Sequence, residues 1–291
     1  MRDLLPSKVK RLRKIEDRFR TIVEEIGYEE IRTPVVEYRE LFESAGETSK
    51  QMYQFTDKGD RQLVLRPEGT ASVARAYINN PQELSGVQKL WYNAPMFRYE
   101  RPQRGRYRQF NQLGIEFIGV DAPESDAEVI QIASRVCGDP TVDINYLGTP
   151  QERTQYVATL VEYLKELESD LDEVSRRNLT SNPLRILDSK NPKTQEILQS
   201  SPRILDFLES PSRDRFQAIL EALDGVDVNI NPNLVRGLDY YSGVVFEILV
   251  DGLAVCGGGR YDSLIESLGG NPTPAVGMAI GLDRLEIAQE K

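Results

Sequence analysis

Two β-compatible runs, Tyr240–Val250 and Leu253–Cys256, are separated by Asp251-Gly252 alone. Asp-Gly between two apolar runs is a strong hairpin signal, because both central residues of the favoured turn need positive φ. A second hairpin follows Val87–Tyr92, through FRYERPQRGRYRQFNQLGIE to a return strand ending near Val120. Strands joined by short turns lie antiparallel, and here helices fall between groups of strands rather than after every strand. The chain is therefore expected to be α+β, an antiparallel β-sheet flanked by helices, and a doubly wound Rossmann fold is disfavoured.

The remaining pattern fills in that frame. Val9, Leu12, Ile15, Phe19, Val23 and Ile26 recur at helical spacing, with Gly27 placed to end the helix. Ile31–Val36 reads as a short strand interrupted by Pro34, and Gln62–Leu65 as another. Ala71–Tyr77 reads as a helix with Thr70 near its cap, Ser125–Val136 as a helix and Thr141–Leu147 as a strand. From about 151 to 224 the pattern turns helical: Tyr156, Leu160, Tyr163, Leu164, Leu167, Leu171 and Val174 mark one long amphipathic helix. This block reads as a helical insertion between two β-rich parts, 1–150 and 225–291. A helix at Ser263–Leu268, a strand at Ala275–Ala279 and a helix from Leu282 follow.

Composition narrows the chemistry. The 291 residues include no histidine, so a Ser-His-Asp triad, a His-ligated metal and an imidazole base are excluded. Two cysteines, Cys137 and Cys256, lie far apart outside any CxxC, which argues against a disulfide framework or zinc site. No apolar run of membrane-spanning length and no secretory signal are present, so a cytoplasmic location is expected. The formal net charge is −10, yet Arg98, Arg101, Arg104, Arg106 and Arg108 crowd one hairpin. Guanidinium forks match phosphate and carboxylate oxygens, so that hairpin points to a bound polyanion, with a nucleoside triphosphate as first candidate. The CGGGRYD stretch matches neither GxGxxG nor GK[ST]; its glycines read as a turn or a close backbone approach.

Five segments together resemble the histidyl-tRNA synthetases, a family of class II aminoacyl-tRNA synthetases, and the resemblance spans essentially the whole chain. IRTPVVEYRELF is similar to class II motif 1, FRYERPQRGRYRQF to motif 2 and AVGMAIGLDRL to motif 3, while LRPEGTA and RGLDYYSG mark the histidine-specific member. The resemblance implies a class II antiparallel sheet with its catalytic core in two parts, 1–150 and 225–291, around the insertion. It implies that histidine's carboxylate attacks the α-phosphate of ATP, carried with Mg²⁺, and that the histidyl group then passes to the acceptor end of tRNA(His). It places Arg98 and Arg236 on either side of the α-phosphate as catalytic charges. Glu100, Arg106, Phe110 and Arg284 would join Arg98 on ATP, with Phe110 stacking on adenine. Glu68 would meet the α-ammonium, and Thr70, Gln112, Glu116, Arg236, Tyr241 and Tyr261 would form the histidine pocket. There an ionised Glu116 would accept an imidazole N–H. Arg101, Arg104 and Arg108 are expected to be structural or to face the tRNA. No protein side chain is assigned to a metal.

This chemistry does not need histidine in the protein. A carboxylate nucleophile is already ionised, so adenylation asks for orientation and fixed positive charge. Motif 1 implies a homodimer, and no membrane partner is expected. The chain stops at Lys291, where relatives continue into an anticodon-binding domain, and Tyr99 and Asn111 stand where several carry histidine. These features suggest a truncated, engineered, histidine-free core with weak tRNA contact. The alternative is a synthetase-like histidine-sensing regulatory subunit of ATP phosphoribosyltransferase; the presence of Arg98, Glu100, Phe110, Arg236 and Arg284 favours the enzyme.

Overall fold

A computed structural model describes residues 2–46, 51–99, 104–236 and 240–290. The strands are β1 Glu29–Glu30, β2 Val36–Tyr38, β3 Tyr53–Thr56, β4 Gln62–Leu65, β5 Gln88–Phe97 and β6 Gln109–Ile118. They continue as β7 Val142–Tyr146, β8 Val228–Ile230, β9 Val244–Val250, β10 Leu253–Arg260 and β11 Ala275–Gly281. The helices are α1 Pro6–Glu25, α2 Arg39–Ser44, α3 Thr70–Asn79, α4 Pro123–Cys137 and α5 Pro150–Glu166. After them come α6 Glu173–Ser181, α7 Pro192–Leu198, α8 Ser210–Ala222, α9 Leu264–Ser267 and α10 Leu282–Gln289. Eight strands form one sheet in the order β1-β5-β6-β11-β10-β9-β7-β8, and β2-β4-β3 form a second, small sheet. Within the large sheet only the outer pairs, β1 with β5 and β7 with β8, run parallel. The expected α+β, largely antiparallel architecture is what folds.

Side-chain alternation along β6 divides the molecule. Leu113, Ile115 and Phe117 point to a core built with α1, α4 and α10. There Phe19 meets Trp91 edge-on at 5.8 Å, and burying a side chain of that size stabilises by about 2 kcal/mol. Gln112, Gly114 and Glu116 point to the opposite face, toward α3, α9 and helices α5–α7 of the segment that separates β7 from β8, whereas α8 packs on α4 in the first core. Among the described residues no helix is long and apolar enough to cross a membrane. Cys137 and Cys256 are free and buried in the same core despite their separation in sequence.

Several elements differ from expectation for identifiable reasons. Ile31–Val36 is not a strand; the chain leaves the large sheet after Glu30 and enters the small one at Val36. Between them Arg66 donates to the carbonyls of Thr33 and Pro34, taking the place of ladder bonds that Pro34 cannot make. The long amphipathic helix is two, α5 and α6, because the Asp172 carboxylate accepts from Val174 N and Ser175 N and starts a new helix. Tyr240–Gly243 precede β9, and β10 runs on through Gly257–Gly259 as strand rather than turn. The Asp251-Gly252 hairpin forms as expected, with φ of 49° and 73°.

Candidate active site

Register explains how one face of the sheet becomes a trough. Residues directly opposite in neighbouring antiparallel strands share a face. One row across the sheet reads Tyr92–Gly114–Ala279–Gly257–Glu247, and the next reads Leu90–Glu116–Gly277–Gly259–Val245. Gln112, between Ala94 and Gly281, begins a third row, and Phe110 lies opposite Met96 beyond it. The centre of each row is glycine or alanine, so the floor is bare backbone and the large side chains stand at its rim.

At one end stands a buried carboxylate. Glu116 is fully buried, and its two oxygens accept from Thr70 Oγ1 at 2.7 Å and Tyr261 Oη at 2.5 Å. Burial pushes its carboxyl up to about 8, against the lowering effect of the two hydroxyl donors and with some added repulsion from Glu68. Burial therefore favours the protonated form of Glu116 in the free pocket. Tyr240 packs on Tyr241 at 4.8 Å and on Tyr261 at 5.7 Å, closing the wall beside it. Glu68 is buried at the start of α3, where its carboxylate accepts from Thr70 N at 2.5 Å and Ala71 N at 2.8 Å. It thus caps the helix whose first residue, Thr70, holds Glu116. Arg66 is no surface partner for Glu68: it is buried and spends its donors on Pro95 O, Thr33 and Pro34 O.

Along the rest of the trough stand the arginines, Arg236 over the row next to Glu116 and Arg98 beside Phe110. Arg236 pairs with Glu247 at 2.6 Å, and its buried Nε has no hydrogen-bond partner. Its guanidinium lies flat on Gly257, where a Cβ would come within 2.4 Å of Cζ. Arg98 donates from Nε to Pro67 O at 2.8 Å, and its guanidinium carbon sits 5.7 Å from the centre of the Phe110 ring. Arg284 donates to Gly105 O at 3.3 Å and Ala254 O at 2.8 Å, which ties α10 to the β5–β6 hairpin. Arg106 is exposed on that hairpin, and Arg108 lies over Tyr99 at 4.5 Å. Gln112 is buried between the two ends, its Oε1 without a hydrogen-bond partner. Glu100 and Arg101 lie outside the described residues, as do Gly237, Leu238 and Asp239 of the RGLDYYSG segment.

Three contributors carry no signal that singles them out in the sequence. Tyr92 lies buried with its phenol in a slot between Gly69 and Gly114; a Cβ on either would reach within 2.3 Å of its ring. Its hydroxyl has no hydrogen-bond partner, and the charge it feels most is Glu116. Glu247 is recognisable only as the partner of Arg236. Arg260 is buried and bonded to Asp126, Asp262 and Ser125, which anchors the end of β10 just before Tyr261.

The glycine floor is directly testable. A Cβ at Gly277 would sit 1.9 Å from Glu116 Oε2 and 2.7 Å from Ile115 O, and backbone cannot give way. Gly277→Ala is expected to lower thermal stability by about 2 kcal/mol or more and to weaken ligand binding at Glu116. Differential scanning calorimetry together with a binding titration checks both.

A bare-floored antiparallel trough, with a buried carboxylate at one end and arginines on a hairpin at the other, defines the catalytic core of a class II aminoacyl-tRNA synthetase. The family model described as histidyl-tRNA synthetase matches residues 1–148 and 151–285. A chloroplastic histidine--tRNA ligase of Gracilaria tenuistipitata var. liui is 49% identical over 307 residues, covering 100% of this chain and 73% of its own length. The histidine--tRNA ligase of Acaryochloris marina (strain MBIC 11017) is 48% identical over 98% of this chain and 70% of its own. Apo S. aureus histidyl-tRNA synthetase superimposes with a TM-score of 0.78 at 37% identity, over 100% of this chain and 72% of that one. An ATP phosphoribosyltransferase regulatory subunit/histidyl-tRNA synthetase from Bacillus halodurans C gives 0.76 at 25% identity, over 100% and 82%. The chain belongs to the histidyl-tRNA synthetase family.

Proposed function

We propose that this protein activates histidine with ATP and passes the histidyl group to tRNA(His). The observation that carries the reading is the polarity of the trough. Successive residues of a strand advance about 3.4 Å, so the six steps from Glu116 to Phe110 span about 20 Å, enough for an aminoacyl-adenylate laid lengthwise. Histidine sits at the Glu116 end, with Thr70, Tyr241 and Tyr261 around the ring and Glu68 toward the α-ammonium. The α-phosphate lies between Arg98 and Arg236, and adenine stacks on Phe110, with Glu100, Arg106 and Arg284 on the remaining phosphates and ring. Gln112, with an unused acceptor between the two ends, receives the α-ammonium side of the junction.

In this arrangement Arg236 and Arg98 supply fixed positive charge to the non-bridging oxygens as the histidine carboxylate displaces pyrophosphate. The Glu247 carboxylate holds Arg236 against Gly257, so the charge is in place before substrate binds. Mg²⁺ would come with the triphosphate and offset part of its charge. The two-part core, 1–150 and 225–291, carries all of these groups, and the helical segment 151–224 is read as an insertion. It reaches the site through Arg153, whose guanidinium donates to Tyr241 O at 2.9 Å. The exposed apolar side chains Val35, Val36, Tyr38 and Phe55 beside motif 1 support a homodimer through that face.

The carboxyl at about 8 sets the pH dependence of histidine binding. A free imidazole titrates at about 6.5, so between these values Glu116 and the ligand together carry one proton before and after binding. A buried carboxylate and imidazole are best compensated when they share that single proton. Affinity is expected to be flat from about 6.5 to about 8, falling tenfold per pH unit on either side as a proton is released or taken up. Calorimetric titration of histidine across pH 5–9 checks this, and a monotonic profile would assign a different protonation state to the pair.

The test of the function is aminoacylation. Incubation with ATP, Mg²⁺, labelled histidine and tRNA(His) is expected to yield histidyl-tRNA, with no charging of a non-cognate tRNA. Histidine binding without any reaction of ATP would instead support the regulatory-subunit reading.

A further inference from the structure

The start of the chain carries a contact that neither the pocket nor the motifs account for. The Arg2 guanidinium lies 3.7 Å above the centre of the Tyr107 ring and is ion-paired with Asp283. Tyr107 follows Arg106 on the β5–β6 hairpin, and Asp283 precedes Arg284 in the first turn of α10. One side chain therefore bridges the two segments that present arginines to the nucleotide. The bridge is braced from behind. Lys8 and Arg11 of α1 both pair with Glu286, which is buried, and Arg11 also pairs with Glu290. These pairs fix the first turns of α1 along α10 and so hold Arg2 over the hairpin. On the far side, Arg284 donates to Gly105 O at 3.3 Å. Gly105 takes φ of +72°, and a Cβ there would meet Arg284 Cγ at 3.0 Å.

We propose that Arg2 is a positioning residue for ATP: it stacks on Tyr107 and pairs with Asp283, so the 104–108 segment is held against the α10 turn that carries Arg284. This rests on the trough's arginine end being the nucleotide site. A guanidinium suits the task because its flat face stacks on the ring while its edge keeps the carboxylate, a combination an ammonium cannot reproduce. Ordering the hairpin before ATP arrives removes part of the entropic cost of binding.

The test compares Arg2→Ala and Arg2→Lys with the unmodified chain by calorimetric titration with ATP–Mg²⁺ and, separately, with histidine, so that turnover is not required. Limited trypsin digestion, with cleavage sites mapped after Arg104, Arg106 and Arg108, reports on the hairpin itself. Arg2→Ala is expected to raise the dissociation constant for ATP by about 3–10-fold, leave that for histidine within twofold, and speed cleavage in the hairpin. Arg2→Lys, which keeps the ion pair but loses the planar stack, should fall between. Unchanged ATP affinity and cleavage in Arg2→Ala would overturn the proposal, as would an equal loss of ATP and histidine binding. Absence of aminoacylation by the unmodified chain, with ATP binding intact and sensitive to Arg2, would sink the synthetase reading alone.

Discussion

Arg236→Ala is expected to reduce histidine-dependent exchange of pyrophosphate into ATP by about 10²–10³-fold, the usual loss when one fixed donor to a developing charge is removed. The geometry predicts a loss in kcat larger than any change in KM. Arg236 already lies against Gly257 and is held by Glu247, so in the proposed reaction it would stabilise charge that grows during attack rather than grip the ground state. Arg236→Lys separates charge from shape: lysine keeps the sign but cannot both lie flat on the glycine and keep the Glu247 contact in fork geometry. It should recover at most about a tenth of the activity. Circular dichroism melts on both variants check that the fold persists. The Arg236–Glu247 pair is about three-quarters buried on each side, so removing Arg236 leaves the Glu247 carboxylate without its partner and should also lower the melting temperature.

Glu116→Gln is expected to show the second large effect, a loss of about 10²-fold in kcat/KM for histidine, equivalent to about 3 kcal/mol. Thr70 and Tyr261 both donate to this carboxylate. An amide offers one acceptor oxygen, so one hydroxyl faces an N–H₂ group and the imidazole loses its partner. The same substitution should stabilise the free protein at high pH. The folded carboxyl, raised to about 8, keeps its proton over a range where the unfolded carboxyl has lost it. The unfolded state then binds fewer protons, and stability falls as pH rises from about 4.5 to about 8. Glutamine has no such penalty, so the melting temperature of Glu116→Gln should exceed that of the parent increasingly across that window and level off above it. Paired melts at pH 5 and pH 8.5 read the difference directly.

These two residues also show how far the amino-acid sequence alone can go. Glu116 and Arg236 are recognisable through the segments that contain them, and the Asp251-Gly252 turn by itself places β9 against β10. The turn does not determine what faces what. Continued without interruption, its register sets Glu247 opposite Cys256; a bulge between Ala254 and Cys256 shifts it opposite Gly257, under the Arg236 guanidinium. That single slip creates the seat of the Arg236 guanidinium, and no local composition signals it. Tyr92 is illegible for a related reason. An isolated tyrosine in an apolar strand looks like ordinary core, and only the cross-strand pairing with Gly114 and the approach of Gly69 reveal the slot that holds it. The glycines of CGGGRYD do mark a close backbone approach, but the group that approaches, Arg236, is defined only in three dimensions. The helical segment is visible as a block, yet its first helix breaks because Asp172 starts a new one, a local competition that apolar spacing does not reveal.

The proposed reaction joins histidine, selected at Glu116, to the α-phosphate between Arg98 and Arg236. Exchange of labelled pyrophosphate into ATP in the presence of each amino acid in turn tests it most directly, because the measurement needs no tRNA. Exchange is expected with histidine alone, lowered by about 10²–10³-fold in Arg98→Ala and Arg236→Ala. Absence of exchange by the folded wild-type chain, or exchange driven equally by another amino acid, would contradict it.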